Sequence, residues 1–546
     1  MIWHMAALWE TIADAVPDQA ALINGETRRS WGDFERRAAA LAAGLHAAGV
    51  GPDAKVALYS LNCNEYLEAH FAIFKARAVP VNVNYRYGEA ELVYLLDNAD
   101  AEVLIFEAGF GEGVAAIRAR LPKLRLLIEI DDGGGQHLAG AVRYESLIAA
   151  NAPMARAAYD EDDIYMLYTG GTTGMPKGVM YPHRDFAQGM MLGYDLRGEA
   201  RPTTPAELAA AVQRKHAAGD APISLVASPL MHGTGLWGGA FVPMSLGGAV
   251  VTIRSNHFDA DALWRAVERE RVSEMAIVGD VFAKPMLASL QAAEAAGRPY
   301  DVGCLKSIFS SGVMFTQEVK QGLLGFADMT IIDSMGATEG GMATSIVSRA
   351  APPTATALFQ KNASTKVFKD DGTEVEPGSD DIGMVANGGP APIGYYKDPV
   401  KSAATFRVID GHRYSFPGDY AKIAADGTLI LLGRGSACIN TGGEKVFPEE
   451  VEEALKAHPD VEDCLVVGVA DPRFGERVTA VLAAAPGRSA DEAGLIEFAR
   501  RSLAGYKTPK RVVVVDAVRR APNGKADYRW AKSVAEADAA PVKPAP

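Results

Sequence analysis

The chain is predicted to be an α/β protein, with a large N-terminal domain of parallel-rich sheets covered by helices and a small α+β C-terminal domain. Two features predict this. Short apolar runs alternate with helix-length amphipathic stretches through most of the 546 residues, the pattern of parallel sheets with helices on both faces. After about residue 433 a Gly-rich stretch opens a second, smaller set of elements, tethered rather than merged.

In chain order, Trp31–Ala48 has the apolar spacing of a helix, Lys55–Ser60 (KVALYS) that of a buried strand and Glu65–Ala78 that of a second helix. Ala101–Phe106, Ile164–Tyr168, Ile223–Ala227, Ala249–Ile253, Ser307–Ser310 and Thr330–Asp333 read as further strands, with Asp259–Glu270 a helix among them. Residues 201–222 are polar and helix-prone, an excursion read as a solvated surface helix in preference to a lid. Pro448 stands at the first position of a helix and Glu449 and Glu450 in its first turn, where fixed φ and the helix dipole favour them. Cys464–Val469, Val478–Ala484, a helix near Ala490–Leu503 and Arg511–Val515 complete the small domain. The N-terminal domain is therefore placed at residues 1–432 and the C-terminal domain at 438–535. The tail 536–546 (EADAAPVKPAP) has the composition of a disordered segment.

The 54 Lys and Arg stand against 68 Asp and Glu, a net charge of −14 without long runs. A broad phosphate-backbone surface is excluded by that balance, so nucleic acid is not an expected partner. Cys63, Cys304, Cys438 and Cys464 lie far apart with no C-x-x-C spacing, which reads as reduced thiols rather than a disulfide or zinc framework. No apolar run reaches membrane-span length and the N-terminus has early charges with no signal-type core. A cytoplasmic location is expected. Oligomeric state stays open, a homodimer included.

The stretch YTGGTTGMPKG (168–178) follows a predicted strand directly. Glycines let backbone N–H groups approach a ligand, hydroxyls add donors, and one Lys adds a point charge, a set suited to phosphate. The Walker A pattern fails, because Pro176 stands where its second Gly is required and Gly178 where Ser or Thr is required. A second candidate, GTGLWG (233–238), matches G-x-G-x-x-G with Asp259 about 20 residues beyond. Residues 228–232 (SPLMH) separate it from the preceding strand, whereas a dinucleotide fingerprint needs its first Gly in the turn directly after the strand.

Four more stretches follow in order: SMGATEG (334–340), YSFPGDYAKI (414–423), GRGSACINTGGEKVFPEEVE (433–452) and RAPNGKADYR (520–529). With YTGGTTGMPKG they resemble the acyl-activating superfamily, which includes acyl-CoA synthetases, firefly luciferase and peptide-synthetase adenylation domains. The resemblance runs from about residue 30 to 530. It implies ATP, Mg²⁺ and coenzyme A as cofactors. It further implies that the loop Thr169, Gly170, Gly171, Thr172, Thr173, Gly174 and Lys177 wraps the ATP phosphates, with Thr169 and Glu339 at the magnesium. Ser311, Gly312 and Val313, with Asp333, Ser334, Met335, Gly336, Ala337 and Thr338, would frame the adenine. Asp419 would take the ribose hydroxyls, and Arg434 would support ribose and phosphate. Lys525 would be the mobile catalytic cation, since a carboxylate attacking an α-phosphate must overcome like-charge repulsion.

The resemblance also implies a C-terminal domain that rotates about a hinge, placed at residues 433–437 with Ser436 at its pivot, where relatives usually carry Asp or Lys. Gly442, Gly443 and Glu444 would line the pantetheine tunnel. The acyl pocket would be built from His232, Gly233, Trp237, Phe282, Gly340, Gly341 and Met342, an apolar, glycine-rich set suited to a bulky hydrophobic acid. Two other departures stand out: Gly171 replaces a common Ser, and Met335 replaces an adenine-stacking aromatic. The function implied is an AMP-forming acyl-CoA synthetase, with a lean to the sterol-side-chain subgroup. The alternatives are delivery of an acyl-adenylate to a carrier protein, or a catalytically inactive nucleotide-binding relative.

Overall fold

The computed structural model describes residues 2–134, 136–169, 175–352, 356, 358–441, 444–471, 474–520 and 524–539. The chain divides into two compact units, residues 1–356 with 388–415, and residues 357–387 with 416–546.

The first unit holds two largely parallel sheets. In one, Val79–Asn82, Lys55–Tyr59, Ala101–Glu107, Leu126–Ile130 and Val142–Arg143 pair in parallel in that order. In the other, Ala20–Asn24, Ala249–Thr252, Ile223–Val226, Glu274–Ile277, Ser307–Ser311 and Thr330–Ala337 run parallel, with Thr27–Ser30 and Gly340–Val347 antiparallel at the two sides. Several of the strands, Lys55–Tyr59, Ala101–Glu107 and Ala249–Thr252 among them, are buried along almost their whole length, as strands of a parallel sheet covered on both faces are. Local signals set the helices: Ser30 accepts from Asp33 N–H at the start of Trp31–Ala47, and Asp259 from Ala262 N–H at the start of Ala260–Glu270.

A third, antiparallel sheet of Gly394–Tyr395, Lys177–Pro182 and Ile164–Thr169 stands on an aromatic floor. Tyr165 stacks on Phe186 at 3.7 Å, and Phe74, Phe241 and Trp237 meet it edge-on or tilted. Burial of several large rings makes this floor stiff as well as apolar.

The predicted strands and helices all form, with shifted ends. The longest extension at a single end carries the strand at Thr330 on to Ala337, because Gly340–Val347 folds back and pairs with it. Residues 201–222 differ from expectation more. Pro205–Ala217 is a helix capped by Thr204, but Leu208, Ala211 and Val212 are buried in the main core and Lys215 is paired with Glu199. It is a docked element and not a solvated one, since its apolar stripe faces the protein.

The second unit contains antiparallel strands Leu358–Lys361, Thr365–Phe368, Gly383–Asn387, Asp419–Ile423 and Leu429–Arg434. It also contains a sheet of Glu444–Val446, Ile439–Thr441, Gly475–Ala484 and Val461–Asp471, with Arg511–Val515 parallel to Gly475–Ala484. Pro448–Lys456, Glu492–Arg500 and Tyr528–Ala539 are its helices. The last runs through the first residues of the expected tail; residues 540–546 lie outside the described ones. Among the described residues no helix is long and apolar enough to cross a membrane.

Candidate nucleotide and acyl site

Glu339 sits at the tip of a tight hairpin. Ala337 pairs with Gly340, leaving Thr338 and Glu339 as its two turn residues. Gly340 has φ of 146°, a conformation open to a residue without a Cβ. Three hydroxyls from separate strands clamp this turn. Tyr181 donates to the Thr338 carbonyl at 2.8 Å, Ser415 to the Glu339 carbonyl at 2.9 Å and Tyr395 to Glu339 Oε1 at 2.6 Å. Glu339 is only 8% exposed, yet its second oxygen accepts no hydrogen bond among the described residues. Such a carboxylate, oriented by one donor and open on one oxygen, fits a hard divalent cation.

Lys177 opens the strand Lys177–Pro182, its Nζ 5.4 Å from the centre of the Tyr395 ring and 3.8 Å from Asp398 Oδ2. Tyr395 thus brings together the loop lysine and the turn glutamate, two residues that sequence spacing cannot relate. Thr169 ends the strand Ile164–Thr169, half-buried, and its hydroxyl makes no hydrogen bond among the described residues. Gly170, Gly171, Thr172, Thr173 and Gly174 lie outside the described residues. Asn82 anchors the strand just before them: it accepts from Tyr168 N–H at 2.6 Å and donates to the Tyr168 carbonyl at 2.8 Å and the Met231 carbonyl at 2.7 Å. Nothing in the sequence singles out Asn82 beyond a buried amide at the end of an apolar strand. Among the described residues no group of three or more His, Cys, Asp or Glu could hold a metal, so a cation at Glu339 would draw most of its oxygens from phosphate and water.

Ser311 ends the strand Ser307–Ser311, Asp333–Ala337 form the second part of the neighbouring strand, with Ser310 paired with Asp333 and Ser311 with Ser334, and Thr338 lies in the turn beyond. Gly312 and Val313 follow Ser311 directly, exposed and half-buried. Ligands of open α/β sheets bind beyond such strand ends. Met335 is buried and Gly336 packs against Gly340 and Gly341, so the hairpin is narrow at this point.

The segment holding His232, Gly233 and Trp237 enters a π-helix at Thr234–Phe241, separated by seven residues from the end of strand Ile223–Val226, which agrees with rejecting GTGLWG as a dinucleotide turn. Trp237 donates through Nε1 to the Tyr165 hydroxyl at 2.7 Å, and Gly233 lies against its ring. Met342 is fully buried, Gly340 buried and Gly341 exposed. Phe282, on the helix Gly279–Ala295, lies in a different apolar cluster, edge-on to Phe258 at 4.7 Å.

In the second unit, Asp419 and Arg434 pair across adjacent strands, and Arg434 Nε lies 3.3 Å from Asp419 Oδ1. Asp419 Oδ2 is buried without a hydrogen-bond partner among the described residues. An orphaned carboxylate oxygen of this kind fits a ligand hydroxyl, such as that of a ribose. Gly435–Ala437 form a short 3₁₀ turn, which places the backbone of Ser436. Glu449, expected only as a helix-start residue, reaches this turn: its Oε1 accepts from Arg434 N–H at 3.3 Å, and its Oε2 has no partner among the described residues. Burial, then the nearby Glu452 carboxylate, pushes its carboxyl up to about 8. Gly433, at φ 127°, leaves room for that carboxyl where any Cβ would collide with it.

Lys525 is half-buried between Gly524 and the bridge residue Ala526, which pairs with Arg520. Arg520 donates to the Gly524 carbonyl at 3.1 Å and makes a two-pronged pair with Asp463 at 2.6 and 2.7 Å. This bidentate anchor holds the base of the loop. Glu444 is exposed and pairs with Thr441, while Gly442 and Gly443 lie outside the described residues.

Comparison with known proteins places this geometry. The chain is 40% identical over 542 residues to a medium/long-chain-fatty-acid–CoA/3-oxocholest-4-en-26-oate–CoA ligase of Mycolicibacterium smegmatis, covering 98% of this chain and 97% of that protein. It is 41% identical over 539 residues to a 3-oxocholest-4-en-26-oate–CoA ligase of Rhodococcus rhodochrous, covering 97% and 96%. Its fold matches a crystal structure of an anthranilate CoA ligase in complex with anthranoyl-AMP, with a TM-score of 0.83 at 22% identity over 98% of both chains. Residues 9–396 match the AMP-binding enzyme family and residues 450–525 its C-terminal domain. The chain therefore belongs to the AMP-binding enzyme family.

Proposed function

We propose that this protein is an ATP-dependent, AMP-forming acyl-CoA synthetase acting on a hydrophobic carboxylic acid, of the medium- to long-chain or steroid side-chain kind. The observation that carries the reading is the clamped Thr338–Glu339 turn, with an oriented but open carboxylate beside Lys177. Support for the acid class comes from the named ligases at 40–41% identity and from Pro229–Met244, which contains no charged residue.

In the first half-reaction an oxygen of the acid attacks the α-phosphorus of ATP and the bond to pyrophosphate breaks, leaving an acyl-adenylate. In the second, the CoA sulfur attacks the acyl carbonyl, the thiol gives up its proton, and AMP departs with the carbonyl–oxygen bond electrons. A magnesium ion, when bound, would neutralise part of the triphosphate charge, held by Glu339 and Thr169. Lys177 and the Thr169–Gly174 loop bind phosphate, Asp419 accepts from the ribose, and Lys525 stabilises charge developing at the α-phosphate. Gly442, Gly443 and Glu444 receive the pantetheine, after rotation about Ser436.

The test is pyrophosphate release with ATP and Mg²⁺ over acids from acetate through C8 and C16 to steroid side-chain acids, with and without CoA. Sustained, CoA-dependent turnover on the large apolar acids is expected. A single burst indifferent to CoA would mean delivery to another acceptor, and silence would remove the catalytic reading. In the same assay Lys525→Ala is expected to lower adenylation by about 10²–10³-fold while still converting a premade acyl-adenylate to thioester. Equal loss of both steps would overturn the separate use of Lys525.

A further inference from the structure

Lys320 lies on the helix Gln317–Phe326 and is 1% exposed, in a cluster that otherwise contains Val319, Leu323, Ile331 and Phe315. Its Nζ donates to Asp333 Oδ2 at 2.7 Å and stands 5.1 Å from the centre of the Phe315 ring. Asp333 is itself 5% exposed, and its other oxygen accepts no hydrogen bond among the described residues. A buried ion pair of this kind is costly, and an apolar pair of similar volume would serve the core as well or better. The pair therefore calls for a reason other than stability.

The position of Asp333 supplies one. It lies midway along the strand Thr330–Ala337, level with Ser310, the last residue but one of the neighbouring strand, and Ser334 after it pairs with Ser311, where that neighbour ends. Burial opposes ionisation of this carboxyl and Asp280 adds to that opposition, while Lys320 favours the charged form. Asp280 is itself occupied by Thr316, through its N–H at 2.9 Å and its hydroxyl at 3.2 Å, and by Lys284 at 3.8 Å. Lys320 is thus the cation in direct contact with Asp333. On balance burial wins and the carboxyl is raised above the usual range, so Lys320 is what favours the acceptor-only form, and its loss would shift the group further toward the protonated form, which is a donor as well.

We propose that Lys320 is a positioning residue that holds Asp333 as an acceptor-only carboxylate, so that the nucleotide site selects a 6-amino purine over a 6-oxo purine. This rests on the reading above that Asp333 borders the purine. Adenine presents an N6–H donor on that edge, whereas a 6-oxo purine presents an oxygen acceptor. Two acceptors facing each other in a partly desolvated site repel and leave both unsatisfied. Lys320 touches no ligand itself.

The experiment compares ATP with inosine triphosphate, by calorimetric binding in the absence of acid and by kcat/KM in its presence. The wild-type chain is expected to prefer ATP by about tenfold or more. Lys320→Met is expected to bring that ratio toward one with kcat at saturating ATP changed little, and Lys320→Arg to retain it. If Lys320→Met does not fold, the neutral pair Lys320→Met with Asp333→Asn takes its place, because an amide can present either a donor or an acceptor; the ratio is again expected near one. A folded variant that keeps the full wild-type ratio overturns the proposal, as does a wild type that binds both nucleotides equally or neither. The binding arm needs no acid. Wild type that discriminates in binding but releases no pyrophosphate would sink the synthetase reading and leave this inference standing.

Discussion

Glu339 and Asp419 are both carboxylates with one engaged oxygen and one open one, but the protein holds them in different ways. Glu339 is oriented by a neutral phenol, and its turn is pinned by two further hydroxyls, from Tyr181 and Ser415. Asp419 has a cation, Arg434, at 3.3 Å on Oδ1, and its Oδ2 is buried without a partner among the described residues. A neutral donor orients Glu339 without cancelling its charge, which suits a site for a cation. Arg434 offsets the charge of Asp419 and leaves a buried acceptor, which suits a neutral hydroxyl. The difference teaches that the chemistry a carboxylate can serve is set by its partner, not by its residue type.

The sharpest way to break this comparison is Asp419→Ala. Loss of a hydrogen bond to a charged acceptor costs about 1.5–3 kcal/mol, so kcat/KM for ATP should fall on the order of 10–100-fold. The loss should be much smaller with 2′- and 3′-deoxy-ATP, measured side by side; an equal loss on all three would remove the ribose role. Tyr395→Phe comes next. It leaves Glu339 charged but unoriented, and outer partners of a cation ligand are worth about tenfold or more. The expected signature is a raised Mg²⁺ requirement for pyrophosphate release, with KM for the acid unchanged. Should the Mg²⁺ titration of Tyr395→Phe overlay that of the wild type, the phenol does not orient a metal ligand.

Glu449→Gln has the smallest effect on turnover and the clearest effect on pH dependence. The folded carboxyl holds its proton up to about 8, whereas an unfolded one releases it near 4.5. Between those values the folded state binds the extra proton, so stability falls as pH rises through the window and is lost through the folded value. The glutamine variant removes this slope. Thermal unfolding of the second unit at pH 5.5 and pH 8 should show a drop of about a few degrees in the wild type and less in the variant. A slope unchanged by the substitution would show that Glu449 is charged in the folded protein.

Much of the fold was legible because its signals are local. Apolar runs bounded by helical stretches marked the parallel strands, and Pro448 marked a helix start at the observed position. The extension of the strand at Thr330 to Ala337 was not legible, since its polar and glycine-containing end is stabilised only by pairing with Gly340–Val347. The burial of Pro205–Ala217 was missed for a related reason. Five alanines and scattered charges mask a narrow apolar stripe, which gains meaning only from the core it meets.

For the candidate site, the sequence by itself determined the family and the order of its motifs, because five short patterns in a set order are carried by residue identity alone. Tertiary structure decided which side chains orient them. Tyr395 lies 56 residues from Glu339, Ser415 76 residues, and Tyr181 157 residues from Thr338; Lys320 meets Asp333, and Glu449 meets the backbone of Arg434, only across packed elements. A tyrosine, a serine or a buried lysine has no distinctive pattern along the chain. Its role comes from the few ångströms of hydrogen-bond reach that folding, and not spacing, creates.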